Sequence, residues 1–328
     1  VATPAVTLAR WVLSYPVADE EVQPWLSVGL PATPSSVIGI PLNRNESQPA
    51  AEASVLHFPQ HLDVPDLEPG QRWSTWRQIP ALSRGPAPWP DWLVTDDESI
   101  DTELGILKTG KEADVFLVER SNVTGPPKNC RLAAKRYRDQ QHTSFNRTTD
   151  YTEGRGIARK GHRERRALAK KTSFGKQLAA GRWALAEWES LVRLFEAGLP
   201  VPYPVQIDGT EILMELITHP DGSPAPRLAA LRVASRTQLA DLFDQARRAL
   251  ITLAGMGVAH GDLSAYNLLV AGERLVIIDV PQTVDVIGNP HGMDFLHRDC
   301  RNVATWFAGK GLAVDGDELF GEVAAHAW

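Results

Sequence analysis

The feature that most constrains this chain is an eight-residue loop, His260-Gly-Asp262-Leu-Ser-Ala-Tyr-Asn267, followed twelve residues later by Asp279 in LVIIDVPQ. An Asp with an Asn five positions on, placed after a helical stretch and before a strand pair, sets three oxygen-bearing side chains around one point. Asp262 is suited to accept a proton from an attacking hydroxyl. The Asn267 amide oxygen and the Asp279 carboxylate, at the end of the apolar run Leu275–Ile278, are hard ligands of the kind Mg²⁺ takes. Asp and Asn are also common in loops for turn reasons. It is the full constellation, not either residue alone, that points to phosphoryl transfer.

That chemistry needs a cation on the phosphate oxygens and a cover for them. Lys135 follows small apolar residues in the strand-like Leu132-Ala-Ala-Lys135-Arg-Tyr. Its expected partner is Glu187, in the amphipathic helix AAGRWALAEWESLVRLFEAG, where Trp188, Leu191, Val192 and Phe195 recur at helical spacing. Glu189 points the opposite way on that helix. The turn Lys108-Thr-Gly110-Lys-Glu-Ala113-Asp-Val115 keeps the middle glycine and closing valine of a G-x-G-x-x-G-x-V cover. Two decoys fail. Gly105 to Lys111 fits a Walker A loop until Glu112, where Ser or Thr is required. His297-Arg298-Asp299 is followed five residues on by Ala304, which cannot bind metal, so the triplet reads as structural.

Residues 1–94 hold 14 of the 24 prolines and six of the ten tryptophans. Proline at that density blocks long helices and central strands. The stretch reads either as an extended arm whose tryptophans dock on the main domain or as a disordered leader. From there the order is two strands around the Gly110 turn, a third at Lys135, a helix, two strands across Asp208-Gly209, then a mostly helical half. The expected fold class is therefore α+β and bilobal: a small five-stranded N-lobe over residues 95–217 and a reduced helical C-lobe over 218–328. Residues 136–182 interrupt the N-lobe with thirteen Lys/Arg against four acidic side chains, in a chain of formal net charge -6. Such a block suits a solvated loop or an anionic partner. Two cysteines, Cys130 and Cys300, make no disulfide framework and fit a reducing, cytoplasmic setting. No apolar run approaches the ~18 residues of a membrane span.

These residues resemble the RIO family of atypical serine/threonine protein kinases. The matching pieces are TGKEADVF, AAKRY, AEWESLVRLFEAGLPVP, HGDLSAYNLL, IIDVPQ and HGMDFLHRDCRNVATWF, in that order, and the resemblance covers about 230 of the 328 residues. TGKEA and IDV-x-Q lean toward the type-one branch, HGD and Pro281 toward the second, and the basic insert looks like a bacterial variant. Lys108 stands where the family usually has a small residue.

The resemblance implies a Mg²⁺-ATP-dependent phosphotransferase (Mn²⁺ being the substitute ion) with autophosphorylation, ATPase turnover and a link to ribosome maturation. Asp262, Lys135 and Glu187 would be catalytic. Thr109, Gly110, Lys111, Lys135, Glu215 and Ile217 would bind ATP, while Asn267 and Asp279 would hold metal, Asp279 also being a site of transient phosphorylation. The partners implied are ATP, a protein substrate or the chain itself, and a ribosomal particle or RNA at the basic insert. Thr143, Ser144, Thr148, Thr149 and Thr152 are the expected autophosphorylation sites. Two other readings stay open: a small-molecule phosphotransferase of the aminoglycoside or choline type, and a nucleotide-regulated RNA-binding module.

Overall fold

The computed structural model describes residues 66–138, 173–280 and 283–327. Most of the basic insert (139–172), its threonines and serine, and the first 65 residues lie outside that set. No described helix is long and apolar enough to cross a membrane.

The N-terminal lobe is one antiparallel sheet in the order β1-β2-β3-β4-β6-β5. Its strands are β1 (Gln71–Trp73), β2 (Ser99–Thr109), β3 (Ala113–Asn122), β4 (Asn129–Tyr137), β5 (Pro204–Asp208) and β6 (Glu211–Glu215). The β5–β6 hairpin turns at Asp208-Gly209, where Gly209 takes φ +57, a conformation that disfavours side chains. Five of the six strands are those the sequence pattern gives. The sixth, β1, comes from the proline-dense stretch and pairs Gln71–Trp73 with Thr102–Ile100. Three residues between Pro69 and Pro80 suffice for an edge strand, which periodicity cannot register.

The rest of residues 74–94 packs on the sheet. Trp76, Leu93 and Val94 are buried with Val118, Leu132, Tyr203 and Leu213, and Trp89 meets Trp76 edge-on at 5.1 Å. This segment is thus part of the lobe's core. Arg120, fully buried, is held by Asp101 at 2.6 and 3.0 Å and by Gln206 at 2.9 Å. Gln206 in turn donates to Thr75 at 2.9 Å, tying the segment to β5.

Helix α1 (Ser173–Glu196) crosses the sheet. Ala180, Ala184 and Trp188 press on Ala113, Tyr137, Ile207 and Ile212, the i, i+4, i+8 stripe of an amphipathic helix. The second lobe contains α2 (Arg236–Gly255), β7 (Val258–Ala259), the hairpin β8 (Leu268–Ala271) and β9 (Arg274–Ile277), β10 (Val284–Asp285), α3 (Gly292–Gly309) and α4 (Gly316–Ala324). Ser235 caps α2, accepting from the Gln238 amide at 3.1 Å. Leu239, Leu242, Ala246, Leu250 and Leu253 of α2 join Leu296, Cys300, Val303 and Phe307 of α3 in one core. Asp315 caps α4 at its Asp317 and Glu318 amides. Gly292 is demanded by packing: a Cβ there would overlap the carbonyls of Asp285 and Val286. Helix α3 begins a short way along the chain from Asp279, with β10 the one described strand or helix between them.

Candidate active site

Between the lobes lies a cleft of ≈ 480 Å³, within the range of small-molecule sites. Its roof carries Leu107, Val115 and Ala133, its floor Leu269 and Ile278, and Met214 to Ile217 form its back edge. Apolar roof and floor around a strip of backbone suit a flat aromatic base.

The polar end is built from both lobes. β4 delivers Lys135 and α1 delivers Glu187, whose side chains are 12% and 3% exposed. Lys135 Nζ donates to Glu187 Oε1 at 2.6 Å and to Asp279 Oδ1 at 2.8 Å. Burial alone would lower the Lys135 pKa, but the Glu187 and Asp279 carboxylates outweigh it and the net shift is upward. For Asp279, burial pushes up, but the charge and hydrogen bond of Lys135, joined by Lys108 and His260, outweigh it together, leaving its carboxyl below the usual range. The Tyr137 hydroxyl donates to the other Glu187 oxygen, Oε2. Sequence reasoning did not single out Tyr137. The signal was its i+2 spacing from Lys135, which puts both side chains on one face of a strand.

The loop 260–267 is fixed from two sides. Asp299, fully buried on α3, accepts from the amides of Gly261 and Leu263, both at 2.8 Å. Burial, only partly offset by His260 and those two amides, raises its carboxyl pKa. Arg298 donates to the Gly261 carbonyl, and Asn302 to that of Leu263 at 3.1 Å. Arg298 and Asp299 of the His-Arg-Asp triplet thus support the loop, while His297 pairs with Asp317 at 2.6 Å, in keeping with the triplet's structural reading. From the other side Asn267 Nδ2 donates to the Asp262 carbonyl at 2.9 Å, and the Ile278 amide to that of Asn267 at 2.9 Å. These bonds carry Asp279 to the loop, with Asp279 itself at φ +62. A left-handed Asp costs about 1 kcal/mol or more, and such strain collects at functional positions.

With its amide nitrogen committed to Asp262, Asn267 keeps Oδ1 as its acceptor, and Asp279 remains 37% exposed. One amide oxygen and one carboxylate suit Mg²⁺, which retains waters and phosphate oxygens as its other ligands. Among the described residues no three His, Cys, Asp or Glu side chains converge as a cage, so the protein's share would be these two.

At the covering turn the Gly110 amide donates to the Ala113 carbonyl at 3.0 Å. A Cβ on Gly110 would stand 2.7 Å from that oxygen, so the turn requires glycine. Lys111, Glu215 and Ile217 line the cleft, as do Lys108 and Arg227. Thr109 does not; it hydrogen-bonds Asp114. The Glu215 carboxylate accepts from the Tyr203 amide at 3.0 Å, so what it offers the cleft is its backbone.

A curled antiparallel lobe with a Lys–Glu pair, set over a helical lobe bearing Asp262, Asn267 and Asp279 at the seam, defines a protein-kinase-like domain. The RIO domain matches residues 114–319. Rio1, a RIO-type serine/threonine-protein kinase of Haloferax volcanii, is 34% identical over 229 residues, 70% of this chain and 71% of that protein. RIO1 of Caenorhabditis elegans is 32% identical over 210 residues, 64% of this chain but 38% of its own length. Mouse RIO3 is 36% identical over 145 residues, 43% and 27% of the two chains. A solved Rio2 kinase–ADP/Mg²⁺–phosphoaspartate complex from Chaetomium thermophilum superposes with TM-score 0.48 and 20% identity, over 68% of this chain and 62% of that one. The chain belongs to the RIO family of serine/threonine-protein kinases.

Proposed function

We propose that this chain binds Mg²⁺-ATP in the interlobe cleft and transfers the γ-phosphoryl group to a serine or threonine hydroxyl, its own included. The observation that carries the reading is the three-residue junction Glu187–Lys135–Asp279, which joins roof, helix and floor at one ammonium. Adenine would lie between Ala133 and Leu269, against the backbone of Glu215 to Ile217. Lys135, held by Glu187, would sit on phosphate oxygens. Asp262, next to its bonding partner Asn267, would take the hydroxyl proton as the new O–P bond forms and the bond to ADP breaks. Mg²⁺, held by Asn267 and Asp279, would neutralise charge on the phosphates. Family membership favours a protein acceptor over a small molecule. The short path from Asp279 into α3 supports an acceptor that is not held as a long extended peptide.

Steady-state ATP turnover tests this. Asp279→Asn keeps the side-chain shape and should lower turnover at least ~10²-fold, about 2.7 kcal/mol of barrier. Equal turnover in variant and parent would overturn the metal assignment.

A further inference from the structure

Among the described residues the cleft holds four Lys or Arg side chains, Lys108, Lys111, Lys135 and Arg227. Lys135 is committed to two carboxylates. Lys108 and Arg227 are not: among the described residues neither is joined to a carboxylate by an ion pair. Lys108 is the next-to-last residue of the roof strand β2, just before the covering turn, where a glycine-rich cover would begin with glycine. Arg227 follows Ala225-Pro226 on the floor and bridges β8 through its backbone at Leu269. The two belong to different lobes and line one cavity. Burial lowers the Lys108 pKa first, and Arg227 lowers it further, ahead of every other charge acting on it. A roof cation and a floor cation thus line one cleft and repel, and the Asp279 and Glu187 carboxylates offset only part of the shift on Lys108.

We infer that Lys108 and Arg227 form a cross-cleft clamp for a polyphosphate anion, holding the base-proximal phosphates of a nucleoside di- or triphosphate. The inference rests on the proposed nucleotide site and adds to it a second phosphate contact, separate from Lys135 and the metal ligands. Two like charges across an empty cleft repel. An anion between them removes that repulsion and gains charge-assisted hydrogen bonds to both. The clamp therefore costs stability when empty and draws the lobes together when filled. Residues that merely shape the pocket would not show this opposition of sign.

The test is calorimetric titration of the full chain, its Lys108→Gln and Arg227→Gln variants and the double variant, in EDTA at fixed ionic strength. ADP, adenosine and pyrophosphate are the titrants, and the melting temperature of each unliganded protein is recorded. Each single variant should bind ADP about tenfold more weakly, the scale of one hydrogen bond to a charged group. Pyrophosphate should weaken in parallel and adenosine should be unchanged. The unliganded variants should melt no lower than the parent. Equal losses for adenosine and ADP, or pyrophosphate binding untouched by either change, would overturn the clamp. So would full ADP affinity in the double variant. If Lys135→Ala abolished ADP binding while the clamp variants retained it, the clamp would fall and the nucleotide site would stand. Failure of the parent to bind ADP or ATP at all, with or without Mg²⁺, would remove the nucleotide site and the clamp with it.

Discussion

Replacing Lys135 by Met and Glu187 by Gln, singly and together, measures whether the central ion pair joins the lobe's strand to its helix. The two side chains are almost wholly withdrawn from water, with Nζ to Oε1 at 2.6 Å. At an effective dielectric near 20, attraction at about 3 Å is roughly 6 kcal/mol, and desolvation takes back most of it. Neither partner is stranded by loss of the other, because Lys135 keeps Asp279 and Glu187 keeps Tyr137. Each single variant should therefore lose less than the ~3–5 kcal/mol typical of an orphaned buried charge. The coupling left in the cycle should be about 2 kcal/mol. Urea denaturation of the four proteins at neutral pH reads it directly, provided the urea dependence is the same in all four. Additivity within about 0.5 kcal/mol would mean that the two charges do not meet in solution.

Asp299→Asn should leave the fold standing but remove one of the two amide contacts on the loop, since Asn has a single acceptor oxygen. Turnover should fall about tenfold or more with little change in ATP affinity, and an unchanged turnover would refute the support role. Gly110→Val forces a Cβ onto the Ala113 carbonyl, so ATP affinity should drop while urea stability changes little; equal affinity would show that the turn does not cover phosphates. The Asp279 carboxyl is held below its ordinary value by Lys135, so its contribution is present above the unfolded value of about 3.9 and lost as pH falls through the folded one. The Lys135 pKa is raised, so its contribution is complete below about 10.4 and is lost only at still higher pH. Lys135→Met should accordingly flatten the acid limb of the stability profile, and an unaltered limb would contradict that pairing.

Much of the site was legible because its chemistry is written in short local spacings. Asp262 to Asn267 is one loop, Lys135 lies in an apolar strand, and Glu187 lies on a helix face fixed by Trp188 and Leu191. What escaped depends on contacts between distant segments. Asp299 reads as a triplet without a metal partner until α3 brings it 2.8 Å from two loop amides. Arg227 sits in a proline-flanked linker with no periodicity. β1 is three residues long and exists only because β2 offers an edge. Thr109 fell in the right motif but on the wrong face: alternation along the strand sends its hydroxyl to Asp114.

The central claim is phosphoryl transfer by a site assembled from both lobes. Its most direct measurement is incubation with γ-labelled ATP and Mg²⁺, followed by counting of protein-bound label and phosphoamino-acid analysis. The parent protein should gain label on serine or threonine, and Asp262→Asn should gain at least ~10²-fold less at the same ATP occupancy. Equal labelling of the parent and of Asp262→Asn, or none in the parent despite bound ATP, would contradict it.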